Sequence, residues 1–496
     1  MLMLLMVASS ALANGDYDFS AADRLAQGGV ADGRTPSITF AIARGGRILH
    51  EGAFGMADRE AGRAATVHTA YPLASATKPI TATALMVLHE REGLDLNQPL
   101  RTAIPELEVQ GNGADRITLA QLLTHTSGLG TYARIRYEDA VAHAPPLIDD
   151  LRPHSITVNA PGRISEYSNL GYGLLGEAIS RRTQSSFATA VERLVFDPLG
   201  MDDAFMDTPR PGQTDVAAHY DASLTRLPRL RNNTPGAGNA YASARDLIRF
   251  AMLHAGSSGS GPLSSAGVAT MQAHHGAAFH HYYGTAHYGF GWYAREQKGG
   301  RRVVWHEGGM PGASSIIQLL PDQGIAVVVL GNRTDANDLS QAIANALIRA
   351  VLPDHVAEPL DPVAGYAPLA SQPGFAGTWR GTIRVDGITV DGMLELGADG
   401  AGTFRYKVPG QQEVESPIRA MVNGDSLITA LPGRLPSNDI AGSDEPLLLL
   451  KLVRTGDEFS GAVVAYSSLK RLDYLLPFPV ELRRVATTKT EPVTLP

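Results

Sequence analysis

Apolar and polar positions alternate through residues 37–55, Ser-Ile-Thr-Phe-Ala-Ile-Ala-Arg-Gly-Gly-Arg-Ile-Leu-His-Glu-Gly-Ala-Phe-Gly, and this predicts two strands around Arg44-Gly45-Gly46. The pattern then changes to helical spacing. A helix is predicted from Pro79 to about Arg91, stopping at Gly93, with Pro79 placed where a missing N–H does least harm. A short helix over Ile117–Leu123 has Thr118 as its cap, and further helices are predicted over 170–182 and 186–196. Residues 211–240 are rich in Pro, Gly and Asn and read as loop. Strand character returns over 302–306, 314–320 and 325–330, with Pro321-Asp322-Gln323-Gly324 as the turn between the last two, and a helix follows near 336–351. Strands at both ends of this stretch must share a sheet. The expected architecture is therefore an α/β (α+β) domain: an antiparallel sheet flanked by terminal helices, with a helical region inserted between its halves.

Beyond residue 352 the texture changes twice. Pro353, Pro359, Pro362, Pro368 and Pro373 mark a linker over 353–372. From 373 to 496 short alternating runs are separated by Gly and Asp turns, which predicts an all-β barrel or sandwich. With 496 residues the chain is long enough for two domains, here 14–352 and 373–496.

Composition removes several classes of function. A 44% hydrophobic and 19% charged chain is globular in type, and a formal charge of −8 without a basic run speaks against nucleic acid or an anionic membrane as partner. There is no cysteine, so disulfides, thiolate metal ligands and a cysteine nucleophile are excluded. No stretch reaches the ~20 apolar residues of a membrane-spanning helix. Leu2–Ala8 is apolar and Ala11-Leu12-Ala13 has the spacing of a signal-peptidase site, so residues 1–13 are expected to be a signal peptide and the protein exported, periplasmic or secreted. No Lys or Arg precedes the apolar run, which departs from that pattern.

Three segments carry candidate chemistry. Ser75-Ala-Thr-Lys78 puts a hydroxyl at a helix start, near unpaired N–H groups, with a lysine on the same face. A lysine held neutral can take the proton that makes serine a nucleophile. Tyr167-Ser168-Asn169 sits before a helix, and a tyrosine whose pKa is lowered by a nearby lysine can relay protons. Trp305-His306-Glu307-Gly308-Gly309 ends a strand, where glycines allow a substrate close to the backbone and His306 can bond a carboxylate, a carbonyl or the Ser/Tyr pair. Singly, each has an ordinary explanation as a helix cap, a packed tyrosine or a satisfied histidine. His274, His275, His280, His281 and His287 crowd one loop, but their spacing matches no metal-binding pattern, and no metal or other cofactor is expected.

Taken together and in this order, Ser-x-x-Lys, Tyr-x-Asn and His-x-Gly resemble the penicillin-recognising serine enzymes. The similarity is greatest to the β-lactamase-related group of class C β-lactamases, D-alanyl-D-alanine carboxypeptidases, D-aminopeptidases and esterases. Leu119-Ala-Gln-Leu-Leu-Thr-His-Thr-Ser-Gly128 and Tyr167-Ser-Asn-Leu-Gly-Tyr-Gly173 belong to the same likeness, which spans about residues 20–351. The resemblance implies Ser75 as acylating nucleophile, Lys78 as its activating base and Tyr167 as a second proton-transfer group. It implies Asn169 in contact with substrate or Lys78, and an oxyanion hole from the N–H groups of Ser75 and Gly309, beside Gly308. His306 stands where many members carry a lysine, so a permanent cation is replaced by a group mostly neutral at pH 7. The expected function is a serine hydrolase working through an acyl-enzyme on a small-molecule or peptide ester or amide, of esterase or D-aminopeptidase type. β-Lactamase or D-alanyl-D-alanine carboxypeptidase activity and a penicillin-binding sensor without turnover are the alternatives. The C-terminal module resembles lipocalin-like domains appended to some members, with Phe375-Ala-Gly-Thr-Trp379 as its opening, and either shapes the site or only packs beside it.

Overall fold

The computed structural model describes residues 17–138, 145–256, 261–275, 286–297, 300–358, 367–369, 373–440, 447–467 and 473–485. The expected signal peptide at 1–13, and His280 and His281, lie outside the described residues. In chain order the N-terminal domain contains α1 (Ser20–Ala31), β1 (Ser37–Arg44), β2 (Arg47–Asp58), β3 (Arg63–Ala64), α2 (Thr77–Glu92) and α3 (Leu119–Leu123). It continues with β4 (Ala133–Tyr137), α4 (Asn169–Thr183), β5 (Leu230–Asn232) and α5 (Ala244–His254). It closes with β6 (His287–Tyr288), β7 (Tyr293–Glu296), β8 (Arg302–Met310), β9 (Ala313–Leu320), β10 (Ile325–Gly331) and α6 (Asn337–Val351).

The two ends of this domain meet in one antiparallel sheet of order β6-β7-β8-β9-β10-β1-β2-β3. Its join is the β1–β10 ladder, which runs from Ile38↔Gly331 to Arg44↔Ile325. Every residue of β9 and β10 is buried, because α1 and α6 pack on each other and on the sheet while α5 packs on β1 and β10. Strands covered on both faces read as continuous apolar runs, and Ile-Ala-Val-Val-Val-Leu at 325–330 is one. The cap expected at Thr118 is present and is a full capping box, with Thr118 Oγ1 accepting from the Gln121 N–H at 3.2 Å and Gln121 Oε1 accepting from the Thr118 N–H at 3.1 Å.

Three local expectations need correction. Residues 211–240 are not all loop: they hold short strands at His219–Tyr220 and Arg226–Leu227, β5, and a helical turn at Pro235–Gly238. Their Pro, Gly and Asn composition hid pairing that only the tertiary fold supplies, since β5 pairs with the distant β4 from Ile135↔Asn232 to Tyr137↔Leu230. The helix expected over 186–196 is α-helical only to Val191 and widens into a π turn over Glu192–Phe196. His306 does not end its strand, because Gly308↔Ser315 and Gly309↔Ser314 continue the β8–β9 ladder through the glycines to Met310.

The C-terminal domain is a single nearly closed antiparallel sheet. Its strands are β11 (Ala367–Pro368), β12 (Gly377–Val385), β13 (Ile388–Leu396), β14 (Ala401–Lys407) and β15 (Val414–Arg419). They continue as β16 (Met421–Asn423), β17 (Ser426–Pro432), β18 (Leu447–Thr455), β19 (Glu458–Tyr466) and β20 (Tyr474–Arg484). The order is β11-β16-β17-β18-β19-β20-β12-β13-β14-β15. The segment expected as linker therefore ends inside this sheet, with Ala367–Pro368 paired to Val422–Met421. Trp379 fills the barrel, its ring centroid 4.2 Å from that of Phe459 and its indole N–H donating to the Phe375 carbonyl at 3.0 Å.

The barrel and the N-terminal domain are joined by main chain as well as side chains. β20 pairs with β4 through Tyr474↔Arg134 and Leu475↔Ala133, so one sheet passes from the barrel into the other domain. Asp439 of the barrel bridges Arg134 at 3.0 Å and His154 at 3.2 Å, and the His154 hydrogen bond, then Arg134, hold its carboxyl well below the usual carboxylate range. Gly130 allows this approach: a Cβ there would lie 2.6 Å from Cβ of Pro477. Replacing Trp379 by alanine is expected to cost the fold about 3–5 kcal/mol. Urea denaturation followed by circular dichroism measures it, and a loss under about 1 kcal/mol would contradict this account of the barrel core.

Candidate active site

Ser75 lies in a single 3₁₀ turn, Ala74–Ala76, that leads directly into α2. The turn is fixed from three sides. The Leu73 N–H donates to the Ala240 carbonyl at 2.8 Å, the Ser315 hydroxyl donates to the Leu73 carbonyl at 2.6 Å, and the Ala240 N–H donates to Thr77 Oγ1 at 3.1 Å. Ala74, immediately before the serine, has φ 46°, an uncommon conformation for a residue with a side chain. β8 passes so close that a Cβ on Gly308 would fall 2.1 Å from the Leu73 carbonyl oxygen. Strand and serine turn thus touch backbone to backbone, which only glycine permits here.

Lys78 is fully buried in the first turn of α2. Its Nζ is 2.7 Å from Asn169 Oδ1, 3.0 Å from the Ala237 carbonyl oxygen and 3.1 Å from Ser75 Oγ. None of these partners carries a charge. Burial without a counter-ion holds the amine well below the ordinary lysine range. A neutral amine has two hydrogens and one lone pair. Asn169 Oδ1 and the Ala237 carbonyl can only accept, so they take both hydrogens and leave the lone pair facing the Ser75 hydroxyl.

Tyr167 completes the cluster. Its ring centroid is 4.6 Å from Lys78 Nζ, and the Ser75 side chain is near enough to its hydroxyl to favour the ionised phenol. Sequence led to the expectation of a lowered phenol pKa, and the structure reverses it. Burial raises Tyr167, the Ser75 side chain opposes this, and the Glu307 carboxylate adds to the rise. The reason is that its lysine neighbour sits in the same dry environment and offers no permanent positive charge. Tyr167 therefore carries its proton at neutral pH. Asn169 is the first residue of α4, whose cap Ser168 accepts the Gly171 N–H at 3.1 Å, and this cap aims Asn169 at Lys78.

His306 does not touch Ser75. Its Nδ1 is 2.7 Å from the Glu307 carbonyl and its Nε2 3.0 Å from the Tyr288 hydroxyl. The carbonyl can only accept, so Nδ1 carries the proton and Nε2 accepts from Tyr288. Burial pushes the ring from 6.5 to about 3, so it is neutral at physiological pH. Gly308 and Gly309 follow on the same strand, and beyond Trp305 the β7–β8 pairing stops, leaving β8 paired on its β9 side among the described residues.

A cleft of about 300 Å³ opens over Ser75 between β8, the 159–169 segment and the barrel. Several residues that shape it were not singled out from sequence. His125 is buried between Tyr167, Tyr172 and Tyr288, with ring centroids at 4.4, 5.1 and 4.5 Å, and accepts the Ser168 N–H at 3.0 Å. Its motif was noticed, but nothing in the spacing revealed that the ring packs under the tyrosine. Lys451 of β18 reaches the cleft and pairs with Glu166. A lone lysine inside Leu447-Leu-Leu-Leu-Lys-Leu-Val453 was the available signal. Among the described residues no group of three or more His, Asp or Glu side chains converges as for a metal ion, and no helix is long and apolar enough to cross a membrane.

Comparison with known proteins agrees with the fold. The Beta-lactamase family profile matches residues 22–351. Over 200 residues the chain is 36% identical to Esterase EstB of Burkholderia gladioli, a match covering 36% of this chain and 49% of that protein's length, so it spans about half of that relative. It is 27% identical over 330 residues to Penicillin-binding protein 4* of Bacillus subtilis (strain 168), covering 62% of this chain and 70% of the relative. The octameric penicillin-binding protein homologue from Pyrococcus abyssi superposes with a TM-score of 0.60 at 20% identity, over 93% of this chain and all (100%) of that one. At that identity the likeness is one of fold, and it extends through the C-terminal domain.

The buried histidines set an acid limit on the fold. Burial lowers His125 well below 6.5, His219 to about 4, and His254 and His306 to about 3. An unfolded chain protonates these rings near 6.5, so below that pH it binds protons that the folded state refuses, and stability falls as pH falls. Asp246, lifted to about 6 by burial, and Asp207, also raised by burial, work in the opposite sense but are two carboxyls against four rings. The melting temperature is expected to decline steadily from pH 7 to pH 4; a flat or rising profile would contradict the burial of neutral histidines.

Proposed function

The chain belongs to the beta-lactamase family, and from that premise we propose that it is a serine hydrolase that cleaves ester or amide substrates through an acyl-enzyme on Ser75. The observation that carries the reading is the Ser75 Oγ to Lys78 Nζ contact of 3.1 Å, made by an amine that burial keeps neutral. In the first step Lys78 takes the Ser75 proton as Oγ attacks the carbonyl carbon. The backbone N–H groups of Ser75 and Gly309 receive the developing oxyanion. As the tetrahedral intermediate collapses, Tyr167 gives its proton to the leaving oxygen or nitrogen and takes a replacement proton from the neighbouring Lys78 ammonium, which returns to the neutral amine. Water then attacks the acyl-enzyme by the same relay in reverse, releasing the acid and restoring Ser75.

Esterase or D-aminopeptidase chemistry is favoured over β-lactam or carboxypeptidase chemistry. The support is His306, neutral, buried and occupied by Tyr288 on the strand that lines the cleft, where a substrate carboxylate would need a cation. The relative named as an esterase, 36% identical over the matched part, points the same way. Periplasmic or secreted placement rests on the sequence of residues 1–13.

Turnover of p-nitrophenyl butyrate, a D-alanyl p-nitroanilide and nitrocefin by the purified protein tests the reading, with the first two expected to be hydrolysed faster than the third. Ser75→Ala and Lys78→Ala are each expected to lower kcat by about 1000-fold or more. A Ser75→Ala protein within tenfold of the parent would falsify the mechanism. Activity should also fall on the acid side as Lys78 gains a proton. That limb is expected to stay at the same pH in His306→Asn, and its disappearance would reassign the titrating base to His306.

A further inference from the structure

We propose that Lys451 is a positioning residue of the Ser75 site, so that the C-terminal barrel is a working part of the active site; this rests on the hydrolase reading above. The alternation of β18 places Leu448, Leu450 and Leu452 inside the barrel and turns Lys451 outward. Its Nζ meets Glu166 Oε1 and lies 3.3 Å from Thr131 Oγ1. Neither charged side chain is open to solvent: Lys451 is 14% and Glu166 10% exposed. The lysine has crossed from one domain to neutralise a carboxylate buried in the other.

What Glu166 is attached to gives this pair its consequence. The next residue is Tyr167. The Thr131 hydroxyl reaches both the Glu166 carboxylate at 2.9 Å and the Tyr167 carbonyl at 2.7 Å, and the Glu166 N–H donates to the His125 carbonyl at 2.7 Å. Lys451, Glu166 and Thr131 thus form a clamp on the two-residue segment that aims Tyr167 at Ser75. Without the lysine, the Glu166 carboxylate would be buried without a counter-charge. Such a group must move toward water, and that movement displaces the backbone that carries Tyr167. The pair also decides what the barrel side of the cleft offers a substrate. With Glu166 neutralised, that wall presents Val453 and Leu475, which suits an uncharged apolar group on the ester or amide.

Steady-state kinetics of the full chain on p-nitrophenyl butyrate test the inference, together with labelling of Ser75 by a fluorophosphonate probe and melting temperatures. Lys451→Met is expected to lower kcat about 100-fold, as a displaced proton donor does, while KM changes less than threefold. Lys451→Arg, which keeps the charge and the reach, is expected to stay within about fivefold of the parent. Lys451→Met combined with Glu166→Gln leaves no lone charge and should regain at least tenfold over Lys451→Met alone. The double variant also covers the case in which the single one does not fold. If Lys451→Met and the double variant both keep kcat within twofold while the parent labels at Ser75, the clamp is overturned and the hydrolase reading stands. A parent that neither labels at Ser75 nor turns over the ester overturns both.

Discussion

An amine sealed from water with no counter-ion is the constraint around which the rest of this molecule is arranged. Holding Lys78 as an ammonium would cost several kcal/mol in that environment, so the fold holds it as a base. Its three partners are drawn from distant parts of the chain: Ser75 from its own turn, Asn169 from the start of α4, and Ala237 from a turn in the inserted region. Bringing them together demands the strained Ala74, the glycine at 308 that lets β8 meet the serine turn, and the cap at Ser168. The neighbouring histidine and tyrosines follow the same logic. All rest in their uncharged forms, because burial disfavours the charged ones.

The second organising feature is that the cleft has walls from two domains. β4 is short and sits outside the main sheet, yet it is the strand on which the barrel's β20 lies. Through it the barrel gains a fixed position relative to the 159–169 segment, with Ser460 Oγ donating to Asn159 Oδ1 at 3.1 Å and Asp439 tied to Arg134 and His154. Fixed placement matters because the charged contact at Lys451 is buried, and a buried ion pair tolerates little displacement before its desolvation cost goes uncompensated.

How much of this could be read in the sequence differs by length scale. The mixed domain, its strand–helix–strand order and the all-β module after it were legible, because continuous apolar runs such as 325–330 and alternating runs such as 377–385 state their burial directly. The Ser75–Lys78 spacing was legible because it is a local property of a helix start. The pKa of Tyr167 was not, since it depends on how dry the space around it is, and that is set by His125, Tyr172 and Tyr288 from three other segments. Lys451 was illegible for a related reason. A lysine in an apolar strand says that something polar awaits it, but the partner lies 285 residues away in the other domain. The strand end assigned at His306 failed because glycines lower strand propensity, while the ladder to β9 ignores propensity where backbone contact with the serine turn is required.

The ladder from Ala133–Arg134 to Tyr474–Leu475 has a consequence for the chain as a unit. Strand edges are safe only while something covers them. Were the two halves separated, β4 would bare its main-chain groups beside Val158, and β20 its own beside the apolar Leu449 and Val464 that now pack against that residue. Each half would then carry a sticky seam built for the other, so neither is an independent module that can be lost or exchanged without leaving its partner prone to self-association.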